Sequence, residues 1–169
     1  VCVPERALIP LPDGIEFGEA VALLVQGLTA LHATRRSPLT GKHVIIAAAA
    51  GGVGQLLIQL SRLAGAGRIT AVASQGDKLE MSRALGADTA PTYDGLSSGA
   101  LDADVAFDFV GGTVSEQLLP QLRPEGDLVY GALGRFELGA AQLDTFFNRN
   151  QRLTGFSLLP LLTAKNVRD

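Results

Sequence analysis

The residues best spaced for chemistry in this chain lie in the run HVIIAAAAGGVGQLLIQLSRLAG, residues 43–65. Gly51 and Gly54 match the second and third glycines of a G-x-G-x-x-G fingerprint; Ala49 stands in for the first, and Gly52 adds backbone freedom. A strand-like apolar run precedes the cluster and a helix-like run follows it. A strand that turns directly into a helix leaves the first helical N–H groups unpaired. The helix dipole adds roughly +0.5 charge at that end. Together they make a seat for a phosphate or pyrophosphate, which a Cβ would obstruct. No Lys-Ser or Lys-Thr follows, so this is not a nucleoside triphosphate loop. The alternative is a tight turn that binds nothing. Its place after the first strand and before the first crossover helix favours the cofactor seat.

The next diagnostic position lies about 20 residues on, at the end of the second strand, where an acidic residue would hold an adenosine ribose. The sequence there is TAVASQGDKLE, with Ala73 at the expected acidic position and Ser74 and Lys78 following. A hydroxyl and a cation suit a 2′-phosphate, which a carboxylate would repel. NADPH is therefore expected over NADH. Asp77 argues the other way unless it caps the next helix. The alternative for Lys78 is an exposed helix lysine.

Other chemistries find little support. A Tyr-x-x-x-Lys pair is missing, since Ser97 follows Tyr93 by four residues and Gly134 follows Tyr130. Ala73 also argues against a methyltransferase. One cysteine, Cys2, and two histidines, His32 and His43, are too few for a disulfide or a Cys-rich zinc site, so no metal is expected. The net charge is -3 with no run of Lys or Arg, which argues against nucleic acid or an anionic membrane as partner. No apolar stretch reaches the ~18 residues a membrane span needs. The expected setting is soluble and cytoplasmic.

These residues need elements to position them. After an extended Pro-rich entry, a helical pattern begins near Phe17, apolar all round and therefore expected to be buried. Strand-like and helix-like runs then alternate. The strands are HVIIAA, RITAVA, a short TAPTY, ADVAFDFV, GDLVYGAL and LTGFSLL. Helices are expected over Val53 to Ala64, over GDKLEMSRALGA closed by Gly86, and over TVSEQLLPQL. Between Asp94 and Asp104 the spacing allows a brief helix or a loop. Strands separated by single helices pair in parallel, and nearly continuous apolar strands are covered on both faces. This predicts an α/β doubly wound parallel sheet of about six strands, the Rossmann fold.

Taken together, LLVQGLTALHA, AAAAGGVGQLLIQLSRLAGA, KLEMSRALGAD, DVAFDFVGG and TGFSLL resemble the cofactor half of the zinc-independent medium-chain dehydrogenase/reductase superfamily, near its quinone oxidoreductases and 2-enoyl thioester reductases. The resemblance implies that Thr29 contacts the cofactor. Gly51, Gly52, Val53 and Gly54 would hold the pyrophosphate, with Val53 donating its N–H. Ser74 and Lys78 would hold the 2′-phosphate, and Tyr93 would lie near the adenosine end. Val110 and Gly111 would end a strand at the switch-point crevice. Tyr130, Gly131 and Leu133 would border the nicotinamide, and Asn148 would reach the cofactor. The short Asp94–Asp104 connection departs from the family, which usually has a longer helix there. Each residue also has a plainer reading. Thr29 could bond within its helix, Tyr93 and Tyr130 could be core aromatics, His32 would pack under its helix, and His43 would sit at a strand start facing water.

The chain opens at Val1 and stops in LLPLLTAKNVRD, and reads as a piece of a longer protein. The resemblance implies that residues 1–169 are the cofactor domain and that an N-terminal GroES-like catalytic domain, carrying most of the substrate pocket and the proton donor, precedes it. It also implies a homodimer through the last strand. Two functions follow. One is the NADPH-binding domain of a reductase of quinones, enones or 2-enoyl thioesters. The other is a nucleotide-binding or assembly domain with no activity of its own.

Overall fold

The computed structural model describes residues 2–5, 8–96, 99–132, 134–135 and 137–162. Its strands are β1 (His43–Ile46), β2 (Arg68–Ala71), β3 (Ala103–Asp108), β4 (Leu122–Tyr130) and β5 (Arg152–Gly155). They form one sheet in the order β2-β1-β3-β4-β5, every pairing parallel. Helices are α1 (Phe17–Ala22), α2 (Leu28–Thr34), α3 (Gly52–Leu63), α4 (Gly76–Ala84), α5 (Tyr93–Leu96), α6 (Thr113–Leu118) and α7 (Ala140–Asn148). A π-turn, Leu23–Gly27, joins α1 to α2.

The expected Rossmann sheet is present with five strands rather than six. The TAPTY segment runs beside β2 through two isolated parallel bridges, Thr70 to Thr89 and Ala73 to Thr92. The N–H of Ala73 reaches the carbonyl of Pro91, but Pro91 has no N–H to return, so the ladder breaks there. Counting this segment, the order is the doubly wound 3-2-1-4-5-6.

Alternation along the strands sorts the core into two layers. Val44, Ile46, Val105, Phe107 and Val129 pack with Ala30 and Ala33 of α2 and Leu57 and Ile58 of α3. Ile45, Ala47, Ala106 and Leu128 pack on the other face with Leu96, Leu118 and Leu119. Burying each large aliphatic side chain here is worth ~1.5–3 kcal/mol. Helix α4 ends where Gly86 takes φ +112. Its N–H bonds the Arg83 carbonyl and that of Ala87 bonds Ser82, the paired bonds of a Schellman stop.

Several expectations need correcting. The first helical segment is buried only over α2; Phe17, Val21 and Val25 are 80%, 72% and 57% exposed. A helix that is apolar all round needs cover on every side, and the sheet and α3 cover only the side that α2 presents. His43 does not face water. It is half-buried, with Nε2 2.8 Å from the Thr70 hydroxyl. Burial and the Arg68 charge lower its pKa below the usual histidine value. Helix α7 lies between β4 and β5, where no helix was expected. The last strand has four residues and begins at Arg152, whereas LTGFSLL spans seven. Among the described residues no helix is long and apolar enough to cross a membrane.

Candidate functional site

The site is built on the turn between β1 and α3. Beyond Ile46 the turn stays tied to both neighbouring strands: Ala47 N–H bonds Phe107 O and Ala49 N–H bonds Val72 O, each at 3.0 Å. Ala48 takes φ +48 and donates its N–H to the Tyr93 hydroxyl at 2.8 Å. Gly51 is the N-cap of α3, and the first intrahelical bond runs from Gln55 N–H to Gly51 O at 2.9 Å. The N–H groups of Gly52, Val53 and Gly54 therefore open from the amino end of the helix, as an anion requires.

Close packing explains Gly54. A Cβ there would lie 2.7 Å from Ala49 Cα and would also strike the Ala48 carbonyl oxygen. At Gly52 a Cβ would meet only a side chain, that of Gln26, with Nε2 at 3.0 Å. Gln26 thus lies over the amino end of α3. Sequence reasoning passed it over, although the run LLVQGLTALHA contains it. Thr29, from the same motif, is buried on α2 at 8% exposure. The bond inside that helix is made by Thr34, to Leu31 O at 2.8 Å, rather than by Thr29.

At the end of β2 the residues chosen for a 2′-phosphate come together. Lys78 Nζ is 3.3 Å from Ser74 Oγ, and both side chains are exposed. Asp77 is not the cap of α4, which begins after Gln75; its carboxylate accepts the Lys78 N–H at 2.9 Å. Tyr93 follows Thr92, the bridge partner of Ala73, so its backbone lies beside this end while its hydroxyl reaches back to the turn. Burial raises the Tyr93 pKa; the Ala48 bond opposes this and the Asp108 charge adds to it.

The carboxyl ends of β3 and β4 form the other half. Asp108 is fully buried, and its carboxylate accepts the N–H groups of Val110 and Gly111 at 2.9 Å each and the Ser115 hydroxyl at 2.5 Å. Sequence reasoning missed it. The available signal was an acid inside an apolar strand, DVAFDFV. Gly131 N–H bonds Asp108 O at 2.9 Å, which brings Tyr130 and Gly131 beside Val110 and Gly111. Burial raises the Tyr130 pKa, Asp108 raises it further, and Arg135 opposes both. A cavity of ≈ 480 Å³ opens beside Tyr130, Gly131, Ala132 and Phe156, with the Arg36 guanidinium 5.7 Å from the Phe156 ring centre. Another of similar size, between Arg68, Thr70, Arg83 and Thr89, includes no residue of the turn.

Leu133 lies outside the described residues. Asn148 is not near the turn. It ends α7 beside Arg149, whose neighbours Pro120, Glu125 and Asp102 mark the amino ends of β3 and β4. Among the described residues no group of three His, Cys, Asp or Glu side chains could hold a metal ion.

Comparison with known proteins matches residues 52–165 to the family described as zinc-binding dehydrogenase. The NADPH-dependent alkenal/one oxidoreductase of Arabidopsis thaliana chloroplasts is 37% identical over 113 residues, covering 64% of this chain and 29% of that protein. The quinone oxidoreductase of Pseudomonas aeruginosa is 32% identical, covering 74% of the chain and 41% of the relative. Among solved structures, the quinone oxidoreductase of Thermus thermophilus, described together with its NADPH complex, superposes with a TM-score of 0.78 at 36% identity, over 96% of this chain and 53% of that one. The chain thus spans less than half the length of these curated relatives and about half of the Thermus chain. With the fold, the glycine turn and these matches in agreement, the chain belongs to the zinc-binding dehydrogenase family, as a Rossmann cofactor-binding domain of the zinc-independent branch of the medium-chain dehydrogenase/reductase superfamily.

Proposed function

We propose that this chain is the NADPH-binding domain of an oxidoreductase that reduces an activated C=C bond or a quinone by hydride transfer. The observation that carries this reading is the anion seat at Gly52–Gly54 with the Ser74–Lys78 pair beyond the neighbouring strand. The N–H groups of Gly52, Val53 and Gly54 suit a pyrophosphate, and Ser74 with Lys78 suits a 2′-phosphate. Thr29, Val110, Gly111, Tyr130 and Gly131 would border the nicotinamide, at the crevice where a doubly wound sheet binds its ligand. The cofactor, when bound, supplies the hydride. The chain supplies its position. Substrate pocket and proton donor are assigned to a separate domain of the longer protein.

Cofactor preference tests the reading. NADPH is expected to bind more tightly than NADH in a fluorescence titration. Lys78→Ala should weaken NADPH by ~1.5–3 kcal/mol, roughly ten- to a hundredfold, and leave NADH nearly unchanged. Equal affinities for the two cofactors in the unaltered protein would rule out the assignment of Ser74 and Lys78.

The edge strand carries a second expectation. Strand β5 ends the sheet, Leu153 is 42% exposed, and no pairing lies beyond it among the described residues. Such an edge pairs readily with a copy of itself about a twofold axis. Light scattering should therefore show a dimer at micromolar concentration, and Leu153→Lys should shift it toward monomer. A monomer at all concentrations would exclude this interface.

A further inference from the structure

Asp108 is a buried charge without a counter-charge. It is 0% exposed, and among the described residues no Lys, Arg or His lies within ion-pair distance of it. Its partners are two backbone N–H groups and one hydroxyl, all donors, which suits an acceptor-only carboxylate. A lone buried charge is costly, and a neutral amide could accept the same two N–H bonds, though more weakly, without that cost.

Its place in the fold suggests a use for the charge. Asp108 ends β3, which lies next to β1 at the point where the strand order reverses, and ligands of doubly wound sheets bind there. Burial is the main cause raising the pKa of Tyr93 on the turn side and of Tyr130 on the β4 side; the Asp108 charge adds to both, and Arg135 opposes it at Tyr130. Resting on the proposed function above, we infer that Asp108 biases this site toward the oxidised nicotinamide, whose ring is cationic, over the neutral reduced ring. A fixed negative charge beside the crevice favours the state in which positive charge has developed on the ring. It would also lower the barrier to hydride departure, because that charge begins to form in the transition state. Asp108 is thus a positioning residue for Val110 and Gly111 and an electrostatic one for the cofactor.

The test is the ratio of dissociation constants for NADP⁺ and NADPH, measured calorimetrically with the full protein. Asp108→Asn keeps the shape and the two N–H acceptor contacts and removes the charge. It should weaken NADP⁺ relative to NADPH by roughly three- to thirtyfold. A tenfold change corresponds to about 30 mV in the potential of the bound two-electron couple. Ser115→Ala removes one donor and keeps the charge; it should lower thermal stability and leave the ratio alone. An unchanged ratio in Asp108→Asn, or an equal shift in both variants, would overturn the inference. Should Asp108→Asn not fold, Asp108→Ser, a smaller neutral acceptor, takes its place: the same shift in the ratio is expected, and an unchanged ratio would overturn the inference. Failure to bind either cofactor would instead refute the NADPH-binding reading itself.

Discussion

Gly54→Ala should lower the melting temperature of this domain by roughly 6–12 °C and weaken cofactor binding with it. The added Cβ would lie 2.7 Å from Ala49 Cα and 2.8 Å from its carbonyl carbon, and both atoms belong to backbone that cannot swing away. Helix α3 would have to lift from β1, loosening Leu57 and Ile58, now fully buried against Val44 and Ile46. Overpacking of this kind costs about 3 kcal/mol, and in a domain of this size each kcal/mol is worth about 2–4 °C. Gly52→Ala is the control. Its Cβ would meet only the Gln26 side chain, at 3.0–3.1 Å, and that chain can rotate. Its thermal loss should stay within about 1 kcal/mol. Equal losses in the two variants, read by calorimetry, would show that α3 is not seated on the turn at Gly54.

The same contrast shows how much of the site was legible in the sequence. Gly51, Gly52 and Gly54 were legible as a strand-to-helix turn because such a turn has a fixed spacing. Ser74 and Lys78 were legible as neighbours beyond β2 because their four-residue spacing spans the start of α4. Asp108 has no such spacing signal: its role depends on Val110, Gly111 and Ser115 folding back on it, which only the loop geometry reveals. Gln26 lies 26 residues before Gly52, and nothing local says that the π-turn will bring it there. The sheet was legible because nearly continuous apolar strands leave no alternative to a core covered on both faces. Its edges were not. A segment with Pro91 in it reads as a strand by composition and fails as one by lacking an N–H. The all-round apolar pattern near Phe17 predicted burial, yet within the described residues the structure covers only α2.

Gly52→Asp is expected to abolish cofactor binding while leaving the fold in place. The position is exposed, so a larger side chain can be accommodated by moving Gln26. A carboxylate there would stand among the N–H groups proposed to hold a pyrophosphate, and like charges at ~4 Å repel by about 4 kcal/mol at an effective dielectric of 20. That is roughly a thousandfold in affinity. Circular dichroism should show unchanged secondary structure, and NADPH fluorescence should show no saturable binding. Hydride transfer to an activated double bond needs a positioned nicotinamide, an acceptor carbon close to it, and stabilisation of the charge that develops on the acceptor. As proposed, the turn, the Ser74–Lys78 pair and the Val110–Gly111 crevice would address the first of these and neither of the others. Residues 1–169 alone should therefore bind NADPH without oxidising it in the presence of quinones, enones or 2-enoyl thioesters. A protein that joins this chain to the proposed catalytic domain should oxidise it with at least one of them, and Gly52→Asp should remove that activity. Absorbance of NADPH, followed with each acceptor for the isolated chain and the longer protein in parallel, decides between them. Robust turnover by the isolated chain, lost in Gly52→Asp, would place the catalytic groups inside this domain, with Tyr130 and its neighbours the first residues to alter.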